Sequence, residues 1–337
     1  MDFSSKSNFV PRRGLRRAHL QTIAGNFLPR TNLLGAGERR LFTVEERDGT
    51  EVQVECVCHW HAGGRAKPRK RLTVLVVHGL EGSVDSQYVI GTGSKAWAAG
   101  MNVVRMNMRN CGGTEKLTPT LYHSGLSADV GAVAKELIYE DGLASIAIVG
   151  FSMGGNLVMK LAGEWRDHAP KQVKAFAAVS PAMDLAASAD ALHSWQNWIY
   201  EQRFLRGLRR RFRRKAQLFP ERYDLAHLRR FPSIREFDDK ITARYEGFAG
   251  AEDYYERASS SRVAENIRIP TLVIHAKDDP FIRLQPQTVE KLRNNPAIRF
   301  IETEHGGHCA FLAEPNGYDG RWAEKTVIEF LLGILLP

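Results

Sequence analysis

The sequence is poor in cysteine and has no apolar segment long enough to cross a membrane. Its 337 residues include four cysteines, too few for a disulfide framework in a chain of this length. The most apolar stretch, residues 326–336, has about eleven residues, whereas a spanning helix needs about 20. The start of the chain, Met1 to Lys6, lacks the apolar core of a secretory signal. We therefore expect a soluble protein of the cytoplasm, whose last apolar stretch packs on the domain as a helix.

Acidic residues are outnumbered, and the basic excess is concentrated in one segment. Lysine and arginine total 47 against 38 acidic residues, and eight of the basic residues lie in the range Arg203–Lys215. Such a segment could contact phosphate groups, above all those of an anionic lipid surface. No nucleic-acid-binding motif accompanies it, so nucleic acid is not an expected partner. A solvated helix face explains the same pattern, and both interpretations stay open. If the segment is a solvated helix face, its apolar residues point inward, namely Phe204, Leu205, Leu208 and Phe212.

Strand-like and helix-like segments alternate along most of the chain. Residues 41–45 and 51–60 flank Asp48-Gly49 and predict a β-hairpin. Further apolar runs predict strands, and helix-like segments separate most of them. The predicted strands cover residues 72–77, 102–106, 145–149, 175–179, 271–274 and 298–303. This alternation predicts an α/β fold with a mostly parallel eight-stranded sheet and helices on both faces.

The alternation is interrupted once, after the sixth predicted strand. Residues 185–255 contain no convincing strand but many aromatic residues and arginines, and we expect them to form a helical cap insertion. Residues 36–184 and 256–337 then form the core domain. Residues 1–35 are basic and turn-rich with little periodicity, and we expect them to wrap the domain surface.

The strongest functional signal is the pentapeptide Gly-Phe-Ser-Met-Gly at residues 150–154. It lies between a predicted strand and a predicted helix. A serine on such a sharp turn projects its hydroxyl outward beside a helix N-terminus, which stabilises negative charge. The flanking glycines, Gly150 and Gly154, avoid crowding between strand and helix. The context predicts the nucleophile elbow of an α/β-hydrolase, with Ser152 as the nucleophile.

An acid is expected downstream of the nucleophile, because α/β-hydrolases follow the order Ser, Asp or Glu, His. Asp278 and Asp279 follow a predicted strand, at the sheet edge where α/β proteins gather functional groups. Only one of the two can face the histidine. We prefer Asp279, since related hydrolases place the acid directly before a proline and an apolar residue. Asp184, after the sixth strand, is a third choice.

The base and the oxyanion donors complete the predicted catalytic site. His308 follows a glycine pair after the last strand and is preferred as the base over His305. Two backbone N–H groups are expected to form the oxyanion hole, those of Leu80 and Met153. Leu80 lies in a His-Gly-Leu loop after a buried strand, in which His78 is expected to hold the loop by hydrogen bonds.

Four cysteine and histidine residues near the hairpin have the residue types of metal ligands. On a strand, however, Cys56 and Cys58 share one face, whereas His59 and His61 share the other. This geometry disfavours one tetrahedral site, and we expect no metal. Cys111 lies in a loop after a strand and is expected to pack near the site or line it.

Eight short segments together resemble the YheT-like branch of the α/β-hydrolases, also called the AB hydrolase-4 type. The branch includes bacterial hydrolases, yeast medium-chain ester synthase/esterases and animal lipid-hydrolysing ABHD proteins. The resemblance implies a serine esterase without metal or organic cofactor. The animal members carry an N-terminal membrane anchor that this sequence lacks, so we expect a soluble, bacterial form. The segments are residues 78–83, 109–113, 122–125, 150–156, 236–239, 254–255, 278–281 and 306–308.

Three functions are compatible with these residues. The first is hydrolysis of short- to medium-chain or lipid-like acyl esters through an acyl-enzyme on Ser152. The second is transfer of the acyl group to an alcohol, because the catalytic residues do not distinguish water from an alcohol as acceptor. The third is a catalytically silent protein that binds lipid or anions on a hydrolase scaffold. The complete set of serine, acid and histidine favours an enzyme over the third function.

Overall fold

In the computed structural model, which describes residues 8–47, 49–61, 71–228 and 231–335, eight strands form one sheet in the order β1-β2-β4-β3-β5-β6-β7-β8. Strand β2 is antiparallel to β1 and β4, and the other neighbours are parallel. The predicted eight-stranded, mostly parallel sheet is confirmed. The strands are β1 (Glu38–Arg47), β2 (Thr50–His59), β3 (Thr73–Val77), β4 (Asn102–Met106), β5 (Ile146–Phe151), β6 (Val173–Val179), β7 (Thr271–Ala276) and β8 (Ile298–Thr303).

The predicted hairpin joins β1 to β2. Arg47 pairs with Thr50, which leaves a two-residue connection, and Gly49 has a φ of 72°. A positive φ suits the tight turns that match the twist of paired strands. The other turn residue, Asp48, lies outside the described residues. Strand β1 extends beyond its predicted bounds at both ends, with a bulge between Thr43 and Glu45, whereas β2 begins and ends one residue earlier than predicted.

Both faces of the central strands are buried, which explains their continuous apolar sequence. Leu75 and Val77 belong to the core on one face, whereas Val74 and Val76 belong to the core on the other. Helices α3 (Ser127–Tyr139) and α4 (Met153–Trp165) cover the first face. Helices α2 (Gln87–Ala98) and α11 (Trp322–Leu335) cover the second. The C-terminal apolar stretch is therefore a packed helix, as predicted. No helix within the described ranges is both long and apolar enough to cross a membrane.

The N-terminal segment contains a helix that the sequence analysis did not predict. Helix α1 (Ala18–Phe27) buries Gln21, Thr22 and Gly25, which are polar or small, so no apolar periodicity marks it. Gln21 hydrogen-bonds both backbone groups of Leu312, at 2.8 and 3.1 Å. The helix is therefore held against the loop that follows β8.

Between β6 and β7 the described residues form helices and no strand. One of these helices, α6 (Trp198–Leu218), only partly fits the interpretation of a solvated basic face. Leu205, Leu208 and Phe212 are buried as expected, but Lys215 is buried with them, and its Nζ donates to the carbonyl oxygens of Glu115 and Thr118. The helices are α5 (Leu185–Leu192), α6 (Trp198–Leu218), α7 (Ile234–Phe237), α8 (Ala243–Glu246) and α9 (Ala251–Ala258), with a π-helical turn over Asp238–Thr242 and α10 (Pro286–Asn294) following β7.

Candidate active site

Ser152 lies between β5 and α4 in a conformation that non-glycine residues rarely adopt. Its φ and ψ are 54° and −118°. A Cβ added to Gly150 would collide with the carbonyl of Gly154, and one added to Gly154 would collide with the carbonyl of His78. Strained backbone of this kind persists where the surrounding structure holds it, and it concentrates at functional sites. The flanking glycines therefore allow the sharp turn that presents the serine.

Asp279 and His308 form a buried pair at the ends of β7 and β8. The Oδ2 atom of Asp279 lies 2.8 Å from Nδ1 of His308, and the Asp279 side chain is inaccessible to solvent. Its Oδ1 accepts the N–H groups of Phe281 and Ile282 at 3.1 and 2.9 Å. These bonds fix the carboxylate and orient the imidazole ring.

The two alternative acids have other partners. Oδ1 of Asp278 accepts the N–H of Gly307 at 2.9 Å, and Oδ2 lies 3.3 Å from Nδ1 of His305. Asp184 accepts the N–H of Gln285 at 2.8 Å and the hydroxyl of Thr288 at 2.9 Å at the start of α10. The adjacent aspartates thus each take one histidine, and the structure pairs Asp279 with His308.

Burial and the opposite charges of Asp279 and His308 shift the pKa values of both groups. Burial alone would raise the pKa of Asp279, but the charge and hydrogen bond of His308 hold it below its ordinary value. Burial would likewise lower the pKa of His308, but the Asp279 carboxylate outweighs burial and raises it. The negative charge next to the ring therefore stabilises the imidazolium form.

The second nitrogen of His308 faces a thiol in this structure. Nε2 lies 3.7 Å from Sγ of Cys309, and the Ser152 hydroxyl makes no hydrogen bond to any of the described residues. The backbone N–H of His308 donates to Oγ1 of Thr22 in α1 at 2.9 Å. Catalytic hydrogen bonds are often absent before substrate binds. Ser152 and His308 nevertheless line the same cavity.

The two expected oxyanion donors lie on segments that meet at Ser152. Met153 is the first residue of α4, and a Cβ added to Gly79, the neighbour of Leu80, would lie 3.0 Å from Cβ of Ser152. Within the described ranges neither the Leu80 N–H nor the Met153 N–H donates a hydrogen bond. The arrangement leaves both donors available beside the serine.

His78 holds the loop that carries Leu80. Its Nε2 accepts the N–H of Met108 at 3.1 Å, so Nδ1 carries the proton and donates to the carbonyl of Gly79 at 2.8 Å. Burial lowers the pKa of His78 to about 4, which keeps the ring neutral. The Gly79 N–H donates to the hydroxyl of Tyr88 at 2.9 Å.

A second set of contacts, which the sequence analysis missed, joins this loop to α6. The carboxylate of Glu81 accepts hydrogen bonds from the Tyr122 hydroxyl at 2.6 Å and from Nε of Arg211 at 3.0 Å. Gly207, one turn before Arg211, lets the helix approach, because a Cβ there would collide with Glu81. The i, i+4 spacing of Gly207 and Arg211 was visible in the sequence, but their partner lies more than a hundred residues away.

Two cavities meet at Ser152, and Phe204 and Phe281 line both. We call them the inner and outer cavities. The outer cavity also contains His308, Cys309, residues of α1 and arginines of α6. The inner cavity is mostly apolar, with side chains from the core and from the segment between β6 and β7. Its apolar lining includes Leu80, Leu121, Ala182, Leu185, Ala189, Leu192, Leu208, Phe212, Ile234, Phe237 and Ile282.

Several polar side chains of the inner cavity, apart from Ser152, already have partners. Asp238 accepts the hydroxyls of Thr242 and Tyr255, each at 2.8 Å. His123 accepts the N–H of Gly125 at Nδ1. Burial lowers the pKa of His123 to about 3, so it is neutral. The cavity therefore presents an apolar lining to an occupant.

The cysteines and histidines near the hairpin have structural contacts. Nδ1 of His59 lies 2.9 Å from the carbonyl of Leu34, and Arg105 donates to its Nε2. Cys56 and Cys58 are buried and form no disulfide. No cluster that could hold a metal ion occurs among the residues that the structure describes. Cys111 is buried in the core, which raises the pKa of its thiol to about 12.

Comparison of the sequence and the structure with known proteins shows which proteins this chain resembles. The family described as alpha/beta hydrolase fold matches residues 73–315. YheT of Escherichia coli (strain K12), named as a candidate esterase, is 34% identical over 98% of this chain and 94% of its own. Phospholipase ABHD3 of Mus musculus is 27% identical over 80% of this chain and 65% of its own. The Pyrobaculum calidifontis esterase structure has a TM-score of 0.57 at 17% identity, covering 95% of this chain and 90% of that one.

The chain therefore belongs to the α/β-hydrolases. Within them it falls in the branch of YheT and the ABHD proteins, as the sequence motifs predicted, and the expected fold is confirmed. The expected enzyme class, a carboxylic ester hydrolase, agrees with the names of these relatives and with that of a monoacylglycerol lipase of Saccharomyces cerevisiae, 26% identical over 77% of this chain and 58% of its own.

Proposed function

We propose that this protein hydrolyses carboxylic esters of short- to medium-chain or lipid-like acyl groups through an acyl-enzyme on Ser152. The observation that carries the proposal is the Asp279–His308 pair, with Oδ2 and Nδ1 2.8 Å apart, whose histidine lines a cavity together with Ser152. The names of the relatives, esterase and phospholipase, support the same chemistry.

The geometry suggests how the reaction proceeds. His308 accepts the Ser152 hydroxyl proton at Nε2 while Oγ attacks the ester carbonyl. The N–H groups of Leu80 and Met153 stabilise the oxyanion, and Asp279 stabilises the imidazolium. Collapse of the tetrahedral intermediate breaks the ester bond, and His308 gives its proton to the departing alcohol. Water then attacks the acyl-enzyme by the same route and releases the acid.

We assign the acyl chain to the inner cavity and propose that residues 185–255 act as a cap that sets its length. The lining is mostly apolar, and its buried Asp238, Thr242 and Tyr255 side chains are already hydrogen-bonded to one another, so a hydrocarbon chain can enter without breaking these bonds. Turnover of p-nitrophenyl esters from acetate to palmitate tests the proposal. Hydrolysis that peaks at a medium chain supports it, and no hydrolysis of any ester contradicts it.

Filling the inner cavity should shorten the accepted chain. Ala189 on α5 lines this cavity, and Ala189→Phe adds a ring there. We expect kcat/KM for an octanoate ester to fall at least about tenfold, because displacing a few methylene groups costs about 1–3 kcal/mol. Acetate turnover should stay within about threefold of wild type. Equal losses on both esters would show that the chain does not occupy this cavity.

The pH profile should report the His308–Asp279 pair. The base must be neutral to accept a proton, and its raised pKa keeps it protonated to higher pH. Activity should therefore fall as the pH drops through that pKa, with the midpoint of the acidic limb above the ordinary histidine value of about 6.5. The dependence of kcat/KM on pH, measured with a non-ionising ester, checks this. A midpoint below about 6 would contradict the assigned pair.

We also propose a reducing compartment, the cytoplasm, with contact to anionic lipid through α6. None of the four cysteines forms a disulfide, although Cys56 and Cys58 lie two residues apart on β2. The exposed basic residues of α6 can contact phosphate groups, namely Arg203, Arg206, Arg210, Arg213 and Arg214.

A further inference from the structure

The outer cavity opens at the protein surface between α1 and α6. Exposed residues of both helices line it, including Ile23 and Phe27 from α1 and Arg206 from α6. The rings of His19 and Tyr200 stack with their centroids 5.7 Å apart, which joins the two helices beside the opening. The opening therefore leads from solvent to Ser152.

Large apolar side chains are exposed on both sides of this opening. Phe27 is 71% exposed, and Leu20 and Ile23 lie on the same face of α1 at spacings of three and four residues. In the turn before α6, Trp195 is 84% exposed, and Trp198 and Ile199 at the start of the helix are also exposed. Soluble proteins rarely expose such patches unless they bind a partner or a membrane.

Arginines continue the same surface along α6. Arg203, Arg206 and Arg210 follow Ile199 at spacings of four, three and four residues, so they share one helix face. All three are exposed and line the outer cavity, and none forms an ion pair with a carboxylate of the described residues. The face thus combines unpaired positive charge with aromatic and aliphatic side chains.

We propose that this docking face, formed by α1, residues 195–199 and the three arginines, binds an anionic lipid surface. Tryptophan and other apolar side chains enter the boundary between headgroups and acyl chains, and arginine binds lipid phosphates. The lipid then covers the opening of the outer cavity, so an ester can pass from the surface to Ser152. The adjacent tryptophans favour lipid over an acidic protein surface. Only the passage of an ester from the lipid surface to Ser152 rests on the proposed function.

Vesicle binding by the full chain carrying Ser152→Ala separates docking from turnover. We expect sedimentation with vesicles of equal parts phosphatidylcholine and phosphatidylglycerol, at least about tenfold more than with phosphatidylcholine alone, and weaker at high salt. Arg206→Glu/Arg210→Glu should remove this preference. Trp195→Ser/Trp198→Ser should reduce binding at least about fivefold. The charge-matched control Lys171→Glu/Lys174→Glu, two exposed lysines at the amino-terminal end of β6, should bind like the parent.

The vesicle-binding and hydrolysis measurements test the docking proposal and the proposed function separately. No binding to anionic vesicles, or binding unchanged in both docking-face variants, overturns the docking proposal. Loss in the arginine variant alone, with the tryptophan variant unaffected, marks a general basic surface and also overturns it. Hydrolysis of a water-soluble butyrate ester by the wild-type protein is measured separately. Vesicle binding without such hydrolysis would instead contradict the proposed function.

Discussion

Replacing Ser152 by alanine should lower kcat for ester hydrolysis by about 10⁴- to 10⁶-fold, because the acyl-enzyme cannot form. The remaining activity would come from binding and from the oxyanion donors alone. Initial rates on p-nitrophenyl butyrate measure the loss, and a fluorophosphonate probe should label the wild type but not the variant. Cys309→Ala is the matched control, since its thiol is the other nucleophile in the outer cavity. It should remain labelled.

The same two variants distinguish an enzyme from a catalytically silent protein on a hydrolase scaffold. Labelling and hydrolysis that survive in Ser152→Ala would remove the serine from the mechanism. Labelling lost in Cys309→Ala but kept in Ser152→Ala would move the nucleophile to the neighbouring thiol. Circular dichroism of each purified variant shows whether the fold is kept.

Replacing Asp279 by asparagine should lower kcat by about 10³- to 10⁴-fold. The amide can still accept the N–H groups of Phe281 and Ile282, but it does not stabilise the imidazolium, and it favours the wrong tautomer of His308. The pKa of His308 should fall with the loss of the carboxylate, so the acidic limb of any residual activity should move to lower pH.

Asp278→Asn is the matched control, one residue away on the same loop. Its oxygen can still accept the Gly307 N–H, and its histidine partner is His305. We expect kcat within about tenfold of wild type and an unshifted pH profile. Similar losses in both variants would mean that the loop, and not the Asp279–His308 pair, determines the rate. A larger loss in Asp278→Asn would reverse the assignment.

Much of the architecture follows from the sequence because local patterns and burial agree. The apolar strands β3 to β7 are buried on both faces, so each is a nearly continuous apolar run. The elbow at Ser152 follows from the two glycines that the turn requires. The spacing of the motifs narrowed the preferred catalytic acid to two adjacent residues, Asp278 and Asp279. Which of their carboxylates faces His308 depends on the conformation of the folded loop.

The remaining parts depend on contacts between distant segments. Helix α1 has no apolar stripe, because its buried side is polar or small and meets the loop after β8. Arg211 and Lys215 have the composition of a solvated face, yet both turn inward to partners on loops before α3. Their carbon chains can be buried when the charged ends find oxygen acceptors, and the position of those acceptors is a property of the folded chain.

The most direct test of Ser152 as the nucleophile is mass spectrometry of the protein quenched during turnover of a slowly hydrolysed acyl ester. We expect the intact mass to increase by one acyl group and peptide mapping to place this group on Ser152. The adduct should accumulate further in a variant with slowed deacylation and be absent in Ser152→Ala. An adduct on Cys309, or turnover at full rate without any adduct on Ser152, would show that Ser152 is not the nucleophile.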